Sequence, residues 1–204
     1  PEAFQNGAPA AYMRTLNEVE PRIVIDRLPF AISNSGAYYL TRSLAGTNGI
    51  LVMTEDVTID LNGFSLCGDT NYPTHAISTS DDDVLNLTIQ NGTIGDWGGW
   101  GIYCTNADYS IFRNLTIELC DQGGMHVGPN CRVEKVTITN TKGHGIRTGN
   151  SSILTDCISQ NNSSNGICVD DASSVISCQA KSNKGRGIEA TVYCSIRDCT
   201  VVWN

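Results

Sequence analysis

The segment GIRTGNSSILTDCISQNNSSN, residues 145–165, indicates a repeat architecture, because two segments of the same pattern follow it. These are GICVDDASSVISCQAKSNKGR, residues 166–186, and GIEATVYCSIRDCTVVWN, residues 187–204. Each begins with glycine and isoleucine, and a cysteine comes eleven residues after that isoleucine. A fixed period of 21 residues is typical of a solenoid, in which each repeat buries its apolar side against its neighbours.

The repeat extends towards the N-terminus with wider spacing, so that successive marker residues are separated by 27, 25, 23, 21, 21 and 21 residues. The markers are Ile50, Ile77, Ile102, Met125, Ile146, Ile167 and Ile188. Short apolar alternations broken by Asn, Gly, Ser and Asp predict brief strands joined by tight turns. No helical stripe of leucines accompanies them. We therefore predict an all-β parallel β-helix solenoid of about seven coils of 21–27 residues.

Two residue types recur at fixed places in the last coils. Glycine before the marker suits a turn that needs a positive φ or a close backbone approach. Asparagine recurs five residues after the repeated cysteine, which predicts amides that hydrogen-bond from coil to coil. The cysteines themselves are predicted to stack in the interior as free thiols, because parallel side chains disfavour the disulfide dihedral. The stacked cysteines are Cys157, Cys178 and Cys199, and the stacked asparagines are Asn162, Asn183 and Asn204. The other six of the nine cysteines leave room for one or two disulfides.

The opening coils resemble a known group of proteins. The motifs are Gly36-Ala-Tyr-Tyr-Leu-Thr, then Asn48-Gly-Ile, then Glu55-Asp-Val-Thr-Ile-Asp-Leu-Asn-Gly-Phe64. With the lead-in Arg14–Arg22, they resemble secreted right-handed parallel β-helix proteins of the pectate-lyase-like superfamily, over residues 14–204. The resemblance implies a right-handed solenoid. It implies no single activity, since that superfamily includes polysaccharide lyases, hydrolases, epimerases, phage tailspikes and non-enzymatic surface proteins.

We divide the chain into an N-terminal arm, residues 1–22, and the parallel β-helix, residues 23–204. Tyr12–Glu20 is predicted to form a short helix that caps the first coil. At the other end Val201, Val202 and Trp203 lie in an apolar strand with no capping segment after it. They are predicted either to meet later coils of a longer solenoid or to form an interface with another subunit.

Composition restricts the partners. The net charge of −8, from 13 basic and 21 acidic residues, argues against nucleic acid and against an anionic membrane surface. No apolar run approaches the ~20 residues of a membrane span. We expect an extracellular protein, or one on a cell or virion surface.

The longest coils carry extra residues at one corner, in the loops 68–75 and 95–100. Because coils stack in register, these loops are predicted to lie side by side. Aromatic rings beside carboxylates are typical of a sugar-binding groove, but they suit a protein interface or a simple cover over the corner equally well. The candidate contact residues are Asp69, Tyr72, His75, Asp96, Trp97 and Trp100.

No catalytic set can be assembled from the sequence. Gly143-His144-Gly145 is similar to a motif of polygalacturonases, but the paired aspartate and the Arg-x-Lys that those enzymes need are missing at matching positions. We therefore expect no catalytic residues and no cofactor. Asp170 and Asp171 leave a weak calcium site open, but a solvated acidic turn is the favoured interpretation.

The resulting hypothesis is a structural or assembly protein, a rod that stacks end to end or oligomerises with copies of itself in a filament, spike or surface layer. The alternative hypothesis is a protein that binds or degrades polysaccharide through the two loops.

Overall fold

The structure is a computed structural model that describes residues 21–204. Within this range the chain forms 24 short strands and no helix, and it winds through about eight turns of a parallel solenoid. The predicted arm and the helix Tyr12–Glu20 lie outside the described residues, except for the last two residues of the arm.

One face of the solenoid is an eight-stranded parallel sheet in which each strand pairs with its equivalent in the next coil. Its strands are β2 (Phe30–Ile32), β5 (Ile50–Val52), β8 (Ile77–Thr79), β11 (Trp100–Cys104), β14 (Gly123–Val127), β16 (His144–Thr148), β19 (Ile167–Val169) and β22 (Ile188–Ala190). All seven predicted markers stack here in direct register.

The sheet also reveals a coil that the marker count missed. In it Phe30 pairs with Ile50, but Pro29 stands where the other coils have glycine or alanine. The prediction of about seven coils was therefore one too few.

The other two faces merge into one fourteen-stranded parallel sheet. Its strands are β1 (Ile23–Ile25), β3 (Gly36–Leu40), β4 (Leu44–Ala45), β6 (Val57–Asp60), β7 (Ser65–Cys67), β10 (Thr88–Gly95), β13 (Ile111–Glu118), β15 (Arg132–Thr139), β17 (Ile153–Thr155), β18 (Ile158–Gln160), β20 (Ser174–Ile176), β21 (Gln179–Lys181), β23 (Ser195–Arg197) and β24 (Thr200–Val202). A two-stranded ladder joins β9 (Val84–Leu85) and β12 (Ala107–Asp108).

The corners between faces are made by residues in the left-handed region, three in each of the regular coils. One corner holds Asn130, Ser151, Ala172 and Tyr193, the next Lys135, Asp156, Ser177 and Asp198, and the third Asn140, Asn161, Ser182 and Trp203. A single left-handed residue turns the chain without a long loop, at a cost of roughly 1 kcal/mol for an L-residue. Asparagine and aspartate tolerate this conformation best, which explains their frequency at the corners.

The glycines before the markers serve a different purpose. Gly145 and Gly166 have no positive φ, but a Cβ on Gly166 would lie 2.6 Å from the Asn183 Nδ2 atom and 2.6 Å from the Gly187 carbonyl oxygen. The repeated glycine is therefore required by close approach. It makes room for the asparagine ladder and for the next coil.

The interior contains the predicted ladders. Asn162 Nδ2 donates to Asn183 Oδ1 over 3.0 Å, and Asn183 Nδ2 donates to Asn204 Oδ1 over 2.8 Å. Cys157 and Cys178 are fully buried in successive coils, and Cys199 is partly exposed in the last coil. All nine cysteines are free thiols, so none of the disulfides that the sequence left room for is present.

Candidate functional site

The two expanded loops lie side by side, as the in-register stacking predicted. The Gly99 amide donates to the Thr74 carbonyl over 2.9 Å, and the Trp100 amide donates to His75 Nδ1 over the same distance. These bonds fix the start of β11 against the end of the preceding loop and orient the His75 ring.

Trp97 corrects one expectation for this corner. Its side chain is completely buried, and its Nε1 donates to the Leu66 carbonyl over 3.2 Å. The ring packs against Gly68, where an added Cβ would lie only 2.5 Å from it. Trp97 is therefore part of the core that closes the corner, and its ring cannot contact a sugar or a partner protein.

The polar loop residues stay at the surface without forming one site. The Asp69 carboxylate accepts a hydrogen bond of 3.0 Å from the Asn71 amide and so closes a local turn. Tyr72 is half exposed, and Asp96 is an exposed residue in the left-handed region. Of the six candidate contact residues, His75 and Trp100 are the two that the structure brings into direct contact, through the hydrogen bond from the Trp100 amide to His75 Nδ1.

That pair belongs to a larger group, which we call the ring cluster: His75, Trp100, Tyr103 and His126. The His75 and Tyr103 rings stack with centroids 4.6 Å apart. The Trp100 ring lies 5.3 Å from His126 and 6.3 Å from Tyr103, and the Tyr103 and His126 centroids are 5.5 Å apart. All four side chains are only partly buried, on the outer side of the eight-stranded sheet.

Tyr103 was missed by sequence reasoning, although a signal for it exists. Tyr103 follows the marker Ile102 by one residue, as His126 follows Met125, and these two residues pair directly between coils. Because alternate residues of a strand point to opposite sides, the residue after an inward marker points outward. Aligning these positions gives an outward column across the coils. The column contains Leu51, Ser78, Tyr103, His126, Arg147, Cys168 and Glu189.

The histidines near the ring cluster have lowered pKa values. Burial, the Arg147 guanidinium and His144 together lower the pKa of His126 to about 4. Burial also lowers the pKa of His75, and burial followed by Arg147 lowers that of His144, against an opposing effect of Glu189. All three imidazoles are therefore neutral at pH 7, and each has one donor and one acceptor nitrogen. The acceptor of His75 is already used, because Nδ1 accepts from the Trp100 amide, so His75 offers a donor at Nε2.

Two recesses on the same face flank the ring cluster. One, of about 490 Å³, is mainly apolar and lies beside His75 between β2, β5 and the loop 68–75. The other, of about 380 Å³, is the polar cleft. The polar cleft is lined by His144, Arg147, Cys168, Val169, Asp170, Arg186, Glu189, Ala190 and Thr191.

The proposed calcium ligands have limited support in their surroundings. Asp170 lines the polar cleft, while Asp171 Oδ1 accepts a hydrogen bond of 3.3 Å from the Val192 amide. Among residues 21–204 no group of three or more His, Cys, Asp or Glu side chains is arranged to hold a metal ion. Calcium at Asp170 and Asp171 stays a prediction.

The predicted interface residues lie in the coil 187–204. Val201 is 50% exposed, Trp203 is 79% exposed, and Val202 is also exposed. The Lys181 ammonium lies 5.0 Å from the centroid of the Trp203 ring. In the described part of the chain, no helix is both long enough and apolar enough to cross a membrane.

Fold and outer face together define a parallel β-solenoid with a continuous strip of aromatic and polar side chains along one sheet. Comparison with protein families agrees: the family described as right-handed beta helix region matches residues 46–204. The chain belongs to this family. No curated protein and no solved structure matches the sequence.

Proposed function

We propose that this protein binds a carbohydrate chain along the outer face of the eight-stranded sheet. The observation that carries the proposal is the ring cluster, in which four rings from three successive coils face outward instead of filling the core. Aromatic faces stack on the apolar faces of sugar rings, and Trp and Tyr offer a polar atom besides.

The surroundings of the ring cluster support the same class of ligand. The neutral imidazoles match sugar hydroxyls, since His75 offers an N–H donor at Nε2 and His126 offers one donor and one acceptor nitrogen. The outward column runs over seven coils, which is roughly 29 Å at ~4.8 Å per coil. A strip of this length suits an extended oligomer better than a compact metabolite. We infer binding and not hydrolysis, because glycoside hydrolysis generally uses a pair of carboxyl groups and the ring cluster contains none.

The test uses Trp100→Ala and Tyr103→Ala against a panel of polysaccharides, with affinities measured by calorimetry for those that the wild type binds. Losing one stacked ring removes about 2 kcal/mol of apolar contact, so we expect roughly 30-fold weaker binding. Tyr109→Ala is the matched control, because this exposed aromatic residue lies outside the eight-stranded sheet. Wild-type protein that binds no member of the panel, or variants that bind as tightly as wild type, would reject the proposal.

A second candidate function, self-assembly of a rod, is favoured by the exposed apolar residues of the coil 187–204. Ile196, Val201 and Trp203 are each about half exposed or more. Such a surface is covered when another coil or a second copy stacks on it, and head-to-tail stacking of copies gives a filament. We place both functions outside the cell or on a cell or virion surface.

Negative-stain electron microscopy tests self-assembly. Self-assembly is supported if the wild type forms filaments and Val201→Asp does not. Tyr72→Ala, a surface change far from this coil, is the control and should still form filaments. A wild type that stays monomeric at every concentration tested would remove this candidate and leave carbohydrate binding untouched.

A further inference from the structure

The polar cleft holds a cysteine in surroundings unlike those of the other eight. Cys168 lies in the outward column, between Arg147 of the preceding coil and Glu189 of the next. Its Sγ atom is 3.6 Å from His144 Nδ1 and 3.9 Å from Glu189 Oε2. The thiol is partly exposed to the cleft and has a base on each side.

The remaining cysteines lack this arrangement. Five are buried in the core, namely Cys104, Cys120, Cys131, Cys157 and Cys178. Of the partly exposed ones, Cys194 and Cys199 donate to backbone carbonyls of their own and the preceding coil. Cys67 is also partly exposed, but no histidine of the described residues forms a hydrogen bond with it. Only Cys168 joins accessibility to a neighbouring imidazole.

The His144 ring is held in position to take the thiol proton. The Ser164 hydroxyl oxygen lies 3.2 Å from the same Nδ1 atom, so in the tautomer with the proton on Nε2 the hydroxyl and the Cys168 thiol share one acceptor. Burial and Arg147 lower the pKa of His144, so the ring is neutral at pH 7 and Nδ1 can accept. Burial and the Glu189 carboxylate raise the pKa of Cys168, and the Asn165 amide and Arg147 act in the opposite direction. At rest the pair is therefore a thiol beside a neutral base.

The two arginines and two acids of the cleft balance in charge, but one of the arginines can bind the carboxylate of a small ligand. Glu189 is already bound by Arg186 and by the Asn165 side chain. Arg147, in contrast, is exposed and forms no ion pair with any of the described residues. Its guanidinium is available to a carboxylate, for which its planar set of donors is well suited. Asp170 is the remaining acidic residue of the lining.

We propose that Cys168 is a modification site that undergoes thiol–disulfide exchange with small disulfides bearing carboxylates, with His144 accepting the thiol proton and Arg147 binding a carboxylate. The thiolate formed attacks one sulfur of the small disulfide. A bond forms between Cys168 Sγ and that sulfur, the original S–S bond breaks, and the departing thiolate takes the proton back from His144. The protein is left with one mixed disulfide, and one small thiol is released.

The test treats the full chain with oxidised glutathione and follows the mixed disulfide by intact mass and peptide mapping. We expect one rapid addition, at Cys168, that disappears in Cys168→Ser and persists in the matched variant Cys67→Ser. His144→Gln should slow the addition at least tenfold at pH 7, since a positioned base contributes about that much or more. Equal rates at Cys67 and Cys168, or an unchanged rate in His144→Gln, would overturn the proposal.

Two further measurements keep the result independent of folding defects. The wild-type rate should rise with pH through an inflection below 6.5, where His144 loses its proton, and this inflection should be absent in folded His144→Gln. Arg147→Gln should slow glutathione disulfide severalfold but leave the uncharged hydroxyethyl disulfide unaffected. A wild-type profile governed by thiol ionisation alone, or an equal effect of Arg147→Gln on both disulfides, contradicts the assigned roles.

Discussion

Asn183→Ala should destabilise the solenoid more than its single small side chain suggests. Asn183 Oδ1 accepts from both the backbone amide and the side-chain Nδ2 of Asn162, over 3.1 and 3.0 Å. Its Nδ2 donates to the Ser159 carbonyl over 3.0 Å and to Asn204 Oδ1 over 2.8 Å. The side chain thus links three successive coils from a buried position.

The expected magnitude follows from the groups left without partners. Alanine leaves two buried donors of Asn162 and one carbonyl unpaired, and each unpaired buried group costs about 1–3 kcal/mol. Because water or a small shift can satisfy some of them, we expect a loss of about 3–5 kcal/mol in the free energy of unfolding. Asn183→Asp keeps the acceptor but loses both donors, so it should also be destabilising, through an unpaired buried charge.

Urea unfolding followed by circular dichroism measures the loss, with Ser163→Ala as the control. Ser163 is exposed, and its backbone amide donates to the Thr141 carbonyl, a hydrogen bond that alanine retains. Because a solenoid can lose coils locally, hydrogen exchange at the Asn162 and Asn183 amides should accelerate even if the midpoint shifts little. A change below ~0.5 kcal/mol without faster exchange would show that the ladder does not stabilise the coils.

The other predictions concern the core and pH. Thr148→Val should stabilise the protein by about 1 kcal/mol in the same urea assay, because the buried Thr148 hydroxyl has no hydrogen-bond partner among residues 21–204. A destabilised variant would mean that the hydroxyl is satisfied in solution. NMR titration should give His126 a pKa of about 4. Since the unfolded pKa is higher, near 6.5, the unfolded chain binds more protons, and stability should fall as the pH drops from 6.5 towards 4. His126→Gln should reduce that fall, and a His126 that titrates normally would contradict the burial described here.

The sequence predicted most of the interior because the interior repeats. A spacing of 21 residues places isoleucine on isoleucine and asparagine on asparagine, and the structure confirms both stacks. The first coil was missed because Pro29 and Phe30 break the marker pattern. The sequence did not tell why glycine precedes each marker, because a positive φ and a close backbone approach both require glycine.

The loop corner was harder to predict because a tryptophan in a loop gives no sign of which way it points. The register of the coils placed Trp97 and Trp100 at the same corner. It could not show that the Trp97 ring closes the core while the Trp100 ring lies on the outer side of the sheet. That difference depends on Gly68, which admits the Trp97 ring beneath the loop. Such contacts between irregular segments have no period that a sequence could reveal.

The same register that makes the interior repetitive allows the outer face to vary. Inside, each coil must match its neighbours, so columns hold similar residues and carry little functional information. Outside, no neighbour constrains the choice, yet the register still brings unlike side chains to within about 5 Å of one another. Tyr103, His126, Arg147, Cys168 and Glu189 are consecutive members of one such column. In a solenoid, therefore, the informative positions are those where an outward column departs from repetition, and here both the ring cluster and the polar cleft lie along that one column.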